Sequence, residues 1–177
     1  MLVYTRWDYV DRDSDVAHHI WVSYPDGRDP RSYHGNYPID RRARPWMEMS
    51  IRAIPGSHRY IATAAPHHGQ AYGSLIMIDQ DVPDDNFMSQ LKRITPDVDF
   101  PESEWGEEAY GSPWPLSENF YLAVYDSDEA HYGIWLVDAF GNRVEIFTDP
   151  AVPALDPIPL RARPRPPAIP PMRIPSI

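Results

Sequence analysis

Seven histidines and no cysteine set the chemistry that this 177-residue chain can attempt. Three histidine groups stand beside apolar runs: His18-His19, His67-His68 followed by Gly69, and His131. Neutral imidazole is the common protein ligand for zinc, copper and haem iron. If the three groups occupy loops on one rim, they could hold such a metal with help from a carboxylate such as Asp128. Adjacent histidines in extended chain point to opposite faces, so each pair offers one ligand. The competing reading has these imidazoles bonding nearby carbonyls and packing edge-on against Tyr72 and Tyr132, and on it no metal and no cofactor is expected. The missing cysteines remove disulfides, thiolate nucleophiles, thiolate zinc sites, iron–sulfur clusters and haem attachment through C-x-x-C-H.

Other polar groups point to turns more than to catalysis. Ser57-His58 and Ser117-Glu118 place hydroxyls beside titratable groups, but no G-x-S-x-G elbow presents a nucleophile. Asp84-Asp85, Glu102 with Glu104, and Glu107-Glu108 carry the oxygen ligands calcium uses, without the D-x-D-x-D-G spacing that would arrange them. No glycine-rich phosphate cradle exists. Trp21 and Trp135 read as core, whereas Trp105 and Trp114 read as surface rings able to stack on a ligand.

Charge narrows the partners. The net charge is −10, and Asp79 to Glu129 holds 14 acidic side chains against Lys92 and Arg93. Binding a phosphate backbone needs clustered Lys and Arg, so nucleic acid is excluded as a partner. No apolar run approaches the roughly 18 residues that cross a bilayer. The first fifteen residues do not follow the basic, apolar, small-residue order of a secretory signal.

The elements that must position these groups are strands. Short β-branched and aromatic runs bounded by Asp, Gly and Pro predict at least seven: Leu2–Val10, HIWVSY, Arg59–Ala65, Ser74–Asp79, Phe120–Asp126, GIWLVD and Arg143–Phe147. Asp26-Gly27 and Phe140-Gly141 predict tight turns with glycine at positive φ. One helical turn is expected near Asp84–Leu91. Ten of the 21 prolines fall in Pro150–Ile177, which predicts an extended, solvated arm over 150–177, outside a β domain over 1–149.

Three blocks of the domain share one grammar: strand, polar loop, strand, turn, strand. Trp21, Ile76 and Trp135 occupy matched positions, 55 and 59 residues apart. A period of that size with three or four strands predicts β-propeller blades. Three blades do not close a ring, and an open arc leaves apolar faces in water. The expected fold is therefore all-β: a partial β-propeller of about three blades, the rest supplied by other blades or domains of a longer chain.

The runs LVYTRWDYVDRD, HHIWVSYPDGRDPR, AIPGSHRYIATAAPHHGQAYGSLIMID, SPWPLSENFYLAVYD and GIWLVDAFGNRVEI together resemble the middle domain of the hydrazine synthase alpha subunit family. More distantly they resemble TolB-type propellers, whose blades carry a W-x-x-D/N-x-D-G turn. The likeness spans Leu2–Thr148. It implies a six-bladed propeller within a larger exported protein, in which c-type haems bound through C-x-x-C-H carry the chemistry. This chain has no cysteine, so no haem ligand maps onto any position. The expected role is a non-catalytic scaffold and recognition module. The alternatives are a subunit of a haem- or metal-associated oxidoreductase, with metal candidates His18, His19, His67, His68 and His131, and an extracellular propeller that binds carbohydrate or peptide.

Overall fold

The computed structural model describes residues 1–9, 16–34, 45–85, 88–99, 107–163, 165 and 168. Among them are eleven strands: β1 (Leu2–Tyr9), β2 (Val16–Ser23), β3 (Arg31–Ser32), β4 (Met47–Ala53), β5 (Arg59–Ala65), β6 (Ser74–Asp79), β7 (Leu91–Arg93), β8 (Tyr110–Pro115), β9 (Phe120–Tyr125), β10 (Gly133–Asp138) and β11 (Arg143–Phe147). The fold is all-β, and no described helix is long and apolar enough to cross a membrane.

The strands form two sheets. The larger follows the order β1-β2-β4-β5-β6-β7 with β3 on the edge of β2, and the smaller runs β8-β9-β10-β11. Within them, β4–β7 and β8–β11 are both four-stranded antiparallel meanders. The join between β2 and β4 is different. It is a parallel contact at one register position, His18 opposite Met47.

The second and third blocks thus have four strands where three were expected. The additions are β4 and β8, the first strands of the meanders. Pro113 and Pro115 argue locally against a strand, because proline donates nothing to a ladder. They are accommodated because β8 lies at a sheet edge and its register shifts between Gly111 and Trp114. The first meander carries a similar shift between Met49 and Arg52. Ser50 and Ser112 sit inside these bulges at φ of 52° and 42°. Among the described residues of the segment expected to hold a helical turn none is helical, and its end is a tight turn in which Leu91 N donates to Met88 O at 2.9 Å.

β5 and β6 are buried on both faces, which explains their unbroken apolar runs. On one face Ile61, Leu75 and Met77 meet Tyr121, Ala123 and Val137 of the other meander. On the opposite face Ala62, Ala64, Ile76 and Ile78 pack with Ile20 of β2. Each fully buried isoleucine or leucine here contributes about 1.5–3 kcal/mol. A backbone pair between Gly73 and Tyr110, at 2.7 and 2.8 Å, ties the two sheets together. A Cβ on Gly73 would stand 2.0 Å from Ala64 O, so only glycine permits that approach.

The described part of the arm, residues 150–163, contains no strand or helix. It is nevertheless tied to the smaller sheet. Ala154 N donates to Tyr132 O, Ser112 donates to Asp156, and Pro157 is buried.

Candidate functional site

His18 and His19 lie within β2, not in a loop. Strand alternation sends them to opposite faces, and the contact with β4 decides what each meets. Opposite Met47, His18 joins a cluster of aromatic rings. Its imidazole stacks on Trp7 with centroids 5.0 Å apart and an interplanar angle of 16°. His67, from the β5–β6 loop, meets it edge-on at 5.1 Å, and His68 packs on His67 at 4.6 Å. Trp46 closes the group at 6.0 Å from His67. The arrangement holds its rings by packing: His18 Nε2 and His67 Nδ1 are buried without a hydrogen-bond partner. Burial, with His67 and His19 alongside, lowers the pKa of His18 to about 4, so it is neutral near pH 7.

The next residue faces a different environment. Abreast of His19 on the other face stands Glu48 of β4, which is wholly buried. Its carboxylate lies 2.9 Å from His34 Nε2 and 3.8 Å from His19 Nδ1. His34 Nδ1 lies 2.6 Å from Gln90 Oε1, while Gln90 Nε2 donates to Val82 O at 2.6 Å and so fixes the amide orientation. His34 thus stands between a carboxylate and an amide oxygen, and since neither Glu48 oxygen meets a donor in hydrogen-bond alignment, its contact with Glu48 is one of charge and proximity. The result is a buried histidine–carboxylate pair. Burial alone would raise the Glu48 pKa, but the charge of His34 and the hydrogen-bonding reach of His19 and His34 outweigh it and hold the carboxyl well below its ordinary range. Thr5 Oγ1 also donates to Glu48 O at 2.6 Å, which brings β1 into the seam.

This geometry regroups the expected histidines. It unites His18, His67 and His68, and sets His19 on Glu48 instead. His131 is in the β9–β10 loop, where its backbone N–H donates to Asp126, beside a separate hollow lined by Trp135 and Arg143. Tyr72 and Tyr132 pack on each other, centroids 5.1 Å apart. Glu48 and His34 were not singled out by sequence. The available signal was a lone glutamate between two methionines, Met47 and Met49, in a run not read as a strand.

No group of three His, Cys, Asp or Glu among the described residues is arranged to hold a metal ion. Metal analysis of protein purified without an affinity tag is expected to give well under one equivalent of zinc or copper. Stoichiometric metal lost in a His68→Ala variant would contradict the packing account.

A His–carboxylate pair can serve as a general base only where imidazole meets substrate, and both His34 and Glu48 are fully enclosed. Other candidates are likewise occupied. Ser57 donates to Glu118, and Arg59 Nε lies 2.8 Å from Asp79. Glu107 and Glu108 accept backbone N–H groups of Asp99 and Gln70. Glycine suits the His67-His68-Gly69 loop because Gly69 has a φ of 122°, a backbone conformation that L side chains rarely adopt. Trp21 is half-buried under the Arg6 guanidinium, 4.0 Å from the ring centroid. Trp135 is half-buried against the main core, so neither ring is fully internal. Glu102, Glu104 and Trp105 lie outside the described residues. Comparison with family models, curated proteins and solved structures returns no match.

Proposed function

We propose that this chain is a non-catalytic scaffold and recognition module built from blades of a β-propeller. The observation that carries the reading is the packing of two four-stranded antiparallel meanders face to face across one apolar core, each entered by a bulged first strand. Blades stack in this manner, each covering the face of its neighbour. The likeness of Leu2–Thr148 to hydrazine synthase alpha middle domains supports the same reading. So does the state of the histidines, which the fold uses for packing and for one buried ion pair.

The partner implied is further blade surface, from a longer chain or another subunit. β11 presents Val144, Ile146 and Phe147 at 64, 56 and 53% exposure, next to Phe140 at 80%. An apolar row of this kind on an edge strand is a site for association. Purified chain is therefore expected to self-associate in light scattering and to bind a hydrophobic dye. Introducing Val144→Lys and Ile146→Lys together should reduce both. A stable, cooperatively unfolding monomer that binds no dye would refute the module reading.

A further inference from the structure

Away from the histidines, a groove of about 640 Å³ lies between β1, β4 and β8, under residues 161–163 of the arm. Its floor includes Ile51, Pro55 and Trp114, and its cations are Arg52, Arg161 and Arg163. The guanidiniums of Arg52 and Arg163 stand 4.3 and 4.9 Å from the centroid of the same indole, Trp114. The two cations are therefore at most about 9 Å apart, comparable to the Debye length of about 8 Å at physiological salt, and they repel one another.

Four other arginines are neutralised. Arg28, Arg31, Arg59 and Arg143 each face an aspartate. Among the described residues, Arg52, Arg161 and Arg163 meet no carboxylate, although the chain as a whole carries −10. The backbone also invests in this place. Arg52 and Trp114 directly follow the two bulges, where Ser50 and Ser112 adopt positive φ. Bulges re-aim the side chains beside them, and strain of this kind concentrates at functional sites.

We propose that the groove binds a small organic anion, its phosphate or carboxylate head held between Arg52 and Arg163 and its apolar body laid on Ile51 and Pro55. The guanidinium fork matches both oxyanions, and the volume falls in the range of small-molecule sites. This inference does not depend on the propeller reading, since its test reads binding and not association.

Calorimetric titration of the full chain with phenyl phosphate, benzoate and phenol tests it. Saturable one-to-one binding is expected for at least one anion and none for phenol, and the tighter anion identifies the head group. Arg52→Gln and Arg163→Gln should each weaken that binding about tenfold or more, whereas Arg28→Gln, whose guanidinium sits on Asp26, should leave it unchanged. Arg163 lies on the strandless arm, so its variant remains informative if Arg52→Gln disturbs the sheet. No saturable binding of either anion, equal binding of phenol, or binding that survives in the Arg52→Gln/Arg163→Gln double variant would overturn the proposal.

Discussion

Replacing Glu48 with alanine is expected to destabilise the fold by about 3–5 kcal/mol, the cost of breaking a buried ion pair from one side. The carboxylate is fully enclosed and faces the His34 ring at 2.9 Å. Its removal leaves the buried His34 ring without the carboxylate it faces, in a site where a proton on that ring has no counter-ion. The consequence should spread, because Glu48 is the point where β1, β2, β4 and Gln90, next to β7, converge. Denaturant unfolding would measure it. Replacing both partners, as Glu48→Leu with His34→Leu, should cost less than the worse of the two single changes, since a well-packed apolar pair needs no counter-ion. A Glu48→Ala variant within about 1 kcal/mol of the parent would show that the pair does not hold the seam.

Stability should fall as the solution is acidified from neutral pH, and His18 should account for the first part of the fall. Its pKa is about 4 in the folded chain against 6.5 when unperturbed. Between those values the unfolded chain binds a proton that the folded chain refuses, so folding weakens as pH decreases. The full loss is about 3 kcal/mol by pH 4. The physical cause is geometric: a proton on the buried Nε2 would find no acceptor and would sit beside His67. Glu48 acts in the next window. Its folded pKa is depressed, so its contribution is present above its unfolded value and is lost as pH drops further. Denaturation midpoints measured at pH 7, 5.5 and 4.5 would trace the first limb. In a His18→Gln variant that limb should flatten while the steeper loss at lower pH remains. An unchanged midpoint between pH 7 and 4.5 in the parent would contradict both the burial and the neutrality of His18.

The two effects belong to neighbouring residues of one strand, and they differ because neighbours on a strand look to opposite faces. His18 meets rings and is kept neutral, whereas His19 meets a carboxylate. One parallel contact, His18 opposite Met47, sets both environments at once. A slip of one position would exchange them and place Glu48 among tryptophans.

Local chemistry alone determined much of the strand map. Arg59–Ala65, Ser74–Asp79 and Arg143–Phe147 begin and end where the residue pattern places them, because β-branched and aromatic runs between turn formers favour extended chain whatever lies around them. The turns follow for the same reason, with Gly27 and Gly141 at φ of 82° and 85°. Tertiary structure decided the rest. β4 and β8 are strands only because β5 and β9 offer them a ladder and a bulge absorbs the residues that would not pair. The groups that meet at the seam are equally non-local: His19, His34, Glu48 and Gln90 are separated by 14 or more positions, and no spacing rule links them. Their association depends on how β2 docks against β4, and that docking follows from burying the face that carries Ile20 against Ala62, Ala64, Ile76 and Ile78. A buried charge finds its partner through the packing of surfaces around it, which is why the histidines were visible in the sequence and their roles were not.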